Sequence, residues 1–116
     1  MTLVYRRCAG LDVHQKSITV CARIRVARGR FHTETAVFGT FTQEIEKMAR
    51  RLRERKIRPV AMESTGVYWK PVWNVLEAGK KPGFEMLLVN PRQPSGALQL
   101  ARHILGQVRA AARRKR

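Results

Sequence analysis

Between Ser17 and Val26 the apolar residues fall on alternate positions, with Ile18, Val20, Ala22, Ile24 and Val26 on one side and Thr19, Cys21, Arg23 and Arg25 on the other. A period of two predicts a strand with one buried face. The run Cys8 to Val13 reads as a shorter strand entering a turn at His14-Gln15-Lys16, and Phe31 to Phe38 follows the Arg28-Gly29 turn as a third strand. Connections this short predict an antiparallel meander. Beyond Thr40 the period changes. Ile45, Met48, Ala49 and Leu52 stand at i, i+3, i+4 and i+7, an amphipathic helix reaching about Lys56 with Thr42 as its expected N-cap. Glu44 and Glu46 in its first turn, and Arg53, Arg55 and Lys56 in its last, suit the helix dipole.

Pro59 to Glu63 reads as a buried strand, and Ser64 or Thr65 is placed to cap a second helix ending before Gly79. Pro71 lies inside that helix pattern, which predicts a kink or a late start near Lys70. Phe84 to Val89 makes a fifth strand, stopped by Asn90-Pro91. The order is βββαβαβ, followed by a weakly amphipathic stretch from Leu98 to Val108 and a basic tail at Arg113 to Arg116. Strands three, four and five are joined through helices and therefore run parallel, with right-handed crossovers. The simplest closed sheet puts strand one in the centre, in the spatial order 3-2-1-4-5. Ligands of open α/β sheets bind where strand order reverses, outside the carboxyl ends of the strands. Asp12 ends strand one and Glu63 ends strand four, so this topology sets two carboxylates side by side.

Charge narrows the partners. The 116 residues carry 24 Lys and Arg against 8 Asp and Glu, a formal charge of +16. Such a balance fits a polyanion, either nucleic acid or anionic lipid. The 31 residues after Glu85 hold seven bases and no acid, about twice the net charge density of the residues before them. The longest apolar run, Met86 to Val89, is far below the ~20 residues of a membrane span. Arg6 and Arg7 near the start leave no apolar leader, and two cysteines make neither a disulfide framework nor a zinc site. The expected setting is the cytoplasm, on the bacterial nucleoid.

Two ionised carboxylates ~4 Å apart repel by roughly 4 kcal/mol at an effective dielectric near 20. Either one takes up a proton or a cation sits between them. A hard divalent ion, Mg²⁺ or Mn²⁺, is the natural neutraliser, and such ions activate the nucleophile and stabilise the leaving oxygen in phosphodiester chemistry. The plainer alternative is that Asp12 caps a turn and Glu63 caps the following helix. Topology alone leaves both open.

The local wording favours the metal-binding pair. Gly10-Leu11-Asp12-Val13-His14-Gln15-Lys16-Ser17 and the segment from Ala61 to Trp73, Ala-Met-Glu-Ser-Thr-Gly-Val-Tyr-Trp-Lys-Pro-Val-Trp, resemble the N-terminal domain of DEDD transposases of the insertion-sequence group numbered one hundred and ten. Phe38-Gly39-Thr40 and Leu87-Leu88-Val89-Asn90 are similar to that family in the same order, so the resemblance covers residues 8 to about 93. It implies an α/β, RNase H-like (RuvC-like) five-stranded mixed sheet with flanking helices. It also implies a recombinase that cleaves and transfers DNA strands with Mg²⁺, works with an element-encoded guide RNA and assembles as a homo-oligomer. Asp12 matches the first of the family's four metal-binding acids and Glu63 the second, which makes them the expected catalytic and metal-ligating residues. The third and fourth have no counterpart, because no acid follows Glu85. Two carboxylates supply half the charge that two divalent ions require, so this chain alone is expected to bind Mg²⁺ weakly and to be inactive. Residues 1–93 are expected to form an incomplete transposase domain and 94–116 a basic tail, helical or disordered, from a truncated or frame-disrupted gene.

Nucleic-acid contacts are expected from Lys16, Arg50, Arg53, Lys70, Arg92, Arg113, Arg114, Lys115 and Arg116, the last four binding any polyanion without reading sequence. Tyr68, Trp69 and Trp73 are candidates for a surface that stacks unpaired bases, but Trp69 and Trp73, at i and i+4, are expected to pack on the sheet instead. A basic nucleic-acid-binding module without chemistry is the competing reading. An actin-like ATPase shares the strand order but needs a glycine-rich turn after the first aspartate, and Val13-His14-Gln15 has no glycine.

Overall fold

Seven elements follow one another: β1 (Arg7–Val13), β2 (Ser17–Ala27), β3 (Arg30–Gly39), α1 (Thr42–Glu54), β4 (Pro59–Ser64), α2 (Trp69–Glu77) and β5 (Glu85–Val89). They come from a computed structural model that describes residues 6–64, 66–79, 83–89 and 105–106. The strands form one mixed sheet in the order β3-β2-β1-β4-β5. The pairs β1–β2 and β2–β3 are antiparallel, whereas β1–β4 and β4–β5 are parallel.

The alternation along the strands divides the sheet into two unlike faces. Ala9, Leu11 and Val13 of β1, Ile18, Val20 and Ala22 of β2, and Val60 and Met62 of β4 share a buried cluster with the apolar stripes of both helices. Those stripes are Ile45, Met48, Ala49 and Leu52 on α1 and Val72 and Leu76 on α2. Trp69 and Trp73 pack against this cluster, edge to face with centroids 5.9 Å apart. On the opposite face Cys8, Ala61 and Val89 form a smaller cluster with Leu105, whose backbone is helical and whose side chain is only 3% exposed. The rest of residues 94–116, and Arg92, lie outside the described residues.

The caps of both helices differ from the sequence expectation, whereas the late start of α2 agrees with the one predicted from Pro71. Phe41, not Thr42, is the N-cap of α1 and makes no side-chain cap bond. Its carbonyl accepts from the N–H groups of Glu44 and Ile45, while the Gly39 N–H donates to Glu44 Oε1 at 3.4 Å. Ser64 is not the cap of α2, which begins at Trp69 after the N-cap Tyr68, and Thr65 lies outside the described residues. Pro71 explains the late start. It occupies the third helical position, where the missing N–H has no partner to lose. The end of α1 falls before Lys56, which adopts φ 56°. Lys56 N–H donates to Arg53 O and Ile57 N–H to Leu52 O, closing a Schellman motif with Leu52 and Ile57 both buried. Val26, expected on the buried face, is 64% exposed because the register shifts between Arg25 and Ala27.

Candidate active site

β1 and β4 run parallel with Asp12 opposite Glu63 in register. Neighbouring parallel strands lie ~4.8 Å apart and registered side chains leave the same face, so the two carboxylates share one spot on the sheet. They form the middle of a row that crosses all five strands as Val37, Thr19, Asp12, Glu63 and Val89. The row lies at the carboxyl end of the parallel strands, on the face away from α1 and α2. Asp12 keeps 42% of its side chain exposed, and Glu63 is half-buried. His14 Nε2 stands 3.4 Å from Asp12 Oδ1, a contact within the tight turn that the His14 N–H closes onto Ser17 O. A second tie comes from Thr40, whose Oγ1 donates to Gln15 O at 3.1 Å and fixes the β3–α1 junction against the turn.

As a donor set, two adjacent carboxylates are hard oxygen ligands. Their charge of −2 matches one divalent ion, so the residues present fit one Mg²⁺ or Mn²⁺ held by Asp12 and Glu63. They do not fit a pair. No group of three His, Cys, Asp or Glu is placed to hold a metal among the described residues.

The basic residues sort by environment. Lys16 is exposed in the turn beside Asp12, Arg50 is exposed on α1, and Lys70 is exposed in the first turn of α2. Arg50 borders an open groove of about 400 Å³ between the two helices, with Asn74 on its far wall. Arg53 differs from the free surface cation expected of it. It is half-buried with its guanidinium 5.0 Å above the Phe84 ring, and a Cβ on Gly79 would meet its Nη2 at 1.5 Å. Arg92, Arg113, Arg114, Lys115 and Arg116 lie outside the described residues.

Two further ionisable sites serve the fold. Glu34 receives both Nε and Nη2 of Arg55, and that hydrogen bonding holds its carboxyl below the usual range. Burial pushes the Cys8 thiol up to about 11, against the opposing pull of Arg23, so Cys8 is no nucleophile at neutral pH.

The model of a transposase family, the DEDD type of insertion-sequence group 110, matches residues 9–104. The chain belongs to this transposase family. Its sheet order is that of the RNase H-like, RuvC-like domain, and the match runs on past Gln93 toward the buried Leu105. No curated protein matches the chain. Among solved structures it is similar to a Ppx/GppA family member from Aquifex aeolicus, at 14% identity and a TM-score of 0.47, covering 75% of this chain and 36% of that one. The type II variant of the Aquifex aeolicus Ppx/GppA phosphatase gives 13% identity and a TM-score of 0.48 over the same shares. The chain thus spans 36% of the length of these two structures. Among the described residues no helix is long and apolar enough to cross a membrane.

Proposed function

We propose that this transposase domain binds DNA and holds one divalent ion, Mg²⁺ or Mn²⁺, between Asp12 and Glu63, as part of a centre for DNA strand cleavage and transfer. The in-register pairing of those two acids, in a chain of net charge +16, carries the reading. A bound ion of this kind polarises a phosphodiester and activates the attacking oxygen. The chain's own residues hold that ion, and the exposed Lys16, Arg50 and Lys70 attract the phosphate backbone. A second ion needs carboxylates that these 116 residues do not supply, so the chain alone binds DNA without turning it over. The family resemblance adds an element-encoded guide RNA and a second copy of the protein as partners of the working complex, on the bacterial nucleoid.

The test is DNA affinity with and without Mg²⁺ at fixed ionic strength. Mg²⁺ is expected to tighten binding by the wild type and to leave Asp12→Asn and Glu63→Gln unchanged relative to their metal-free affinity. Affinity indifferent to Mg²⁺ in all three proteins contradicts the reading. That result favours the second one, a basic nucleic-acid-binding module without chemistry, which the two missing acids support.

A further inference from the structure

Both helices begin at the same end of the sheet as the acid pair, because each follows a strand parallel to the others. Each has an aromatic residue at its N-cap, Phe41 on α1 and Tyr68 on α2, and neither makes a side-chain cap bond. Ser, Thr, Asp or Asn would satisfy an open N–H there, and Phe and Tyr do nothing for it. Nor do these rings serve the core. Phe41 is 82% exposed, and Tyr68 and its neighbour Val67 are exposed as well. Val37, the outermost member of the row that holds Asp12 and Glu63, is the fourth exposed apolar side chain at this end. Of the five large apolar side chains exposed among the described residues, only Val26 lies elsewhere, at the far tip of the β2–β3 hairpin.

An apolar rim at the end of the sheet that carries the two acids, in a strongly basic chain, suits an occupant that offers flat apolar surface and negative charge together. Unpaired nucleic-acid bases have both, since the faces stack while the backbone meets Lys16 and Lys70. A second copy of this chain would bring another +16 against the same surface, which disfavours it. We propose that Phe41 and Tyr68 form a stacking platform for bases unpaired from a DNA strand whose phosphodiester lies at Asp12 and Glu63. This rests on the DNA-binding reading above and adds which part of the DNA is gripped and in what form. A platform of this kind makes the domain prefer a frayed or single-stranded segment over a perfect duplex.

The experiment measures binding of the full chain to a mixed-sequence single-stranded oligonucleotide and to the matching duplex, with 2-aminopurine in the single strand as a stacking reporter. Phe41→Ala removes no core packing, and it is expected to weaken single-strand binding ~10-fold and to relieve 2-aminopurine quenching. Duplex binding should barely change. Phe41→Leu keeps an apolar side chain without a ring and should not restore affinity, whereas Tyr68→Phe should behave as wild type and Tyr68→Ala should not. Equal affinities of wild type, Phe41→Ala and Tyr68→Ala for the single strand overturn the platform and leave the DNA-binding reading standing. A changed sedimentation coefficient in Phe41→Ala with unchanged DNA affinity also overturns it, and assigns the rim to a protein contact. Failure of the wild type to bind either DNA overturns both.

Discussion

Removing the side chain of Leu105 tests whether the region after the fifth strand belongs to the folded domain. Leu105 is 3% exposed and shares its cluster with Cys8 of β1, Ala61 of β4 and Val89 of β5. Leu→Ala at a buried site costs ~2–5 kcal/mol, depending on how far the surroundings collapse. Cys8 and Ala61 are small and fixed in the two central strands, so the cavity stays open. The cluster is also smaller than the main core and lies on the edge of the packing, which limits the loss to about 2.5 kcal/mol. Cys8 provides the local assay, since burial keeps its thiol protonated and out of reach in the closed state. In a Cys21→Ser background the rate of its reaction with a disulfide reagent at pH 8 follows the open population. A loss of 2.5 kcal/mol raises that rate about 60-fold, at tenfold per ~1.4 kcal/mol. The urea midpoint should fall as well. Unchanged labelling together with an unchanged midpoint would refute the docking of Leu105 on this face.

Three further outcomes follow from local geometry. Lys56→Gly relieves a non-glycine residue at φ 56° in the Schellman motif and should raise stability by about 1 kcal/mol in denaturant titration, whereas Lys56→Val should lower it. The Glu34 carboxyl is held below its ordinary 4.5 by the Arg55 hydrogen bond. Its stabilisation is therefore complete above that value and lost as pH falls through the lower, folded-state pKa. Glu34→Gln should remove ~0.5–1 kcal/mol at pH 7 and flatten the acid limb below pH ~4.5 in thermal melts. Cys8 has the opposite sign. With its thiol raised from 9.0 to about 11, the protein should lose about 2–3 kcal/mol as pH rises between those values, a loss absent from Cys8→Ala.

The sheet was readable because β2 carried a period of two, α1 a period of 3.6, and β4 and β5 short apolar runs, with turn residues between the elements. The position of Asp12 against Glu63 followed from the simplest closed sheet, the one that puts strand one in the centre. Capping was read less well. Thr42 and Ser64 are suitable residues one and several positions away from the true N-caps, and tertiary ties decided the outcome: Thr40 bonds the Gln15 carbonyl, while Pro71 forces the late start of α2. Val26 continued an apolar alternation past a bulge that composition does not reveal. Arg53 looked like its neighbours on a charged helix, and only the Phe84 ring and the bare Gly79 backbone, brought up from distant sequence, show where its guanidinium goes. Leu105 was hidden for a different reason, since it lies within an arginine-rich, acid-free stretch of weak amphipathic pattern. The exposure of Phe41 had one available signal, an aromatic residue immediately before a helix pattern where a capping residue is usual.

The central claim is that Asp12 and Glu63 together make a site for one divalent ion. Manganese binding followed by electron paramagnetic resonance tests it directly, because free and bound Mn²⁺ give separable signals. The account predicts one Mn²⁺ per chain, held weakly by two protein carboxylates, displaced by Mg²⁺ and lost in both Asp12→Asn and Glu63→Gln. Wild-type protein that binds no Mn²⁺, or variants that bind it as the wild type does, would contradict the claim.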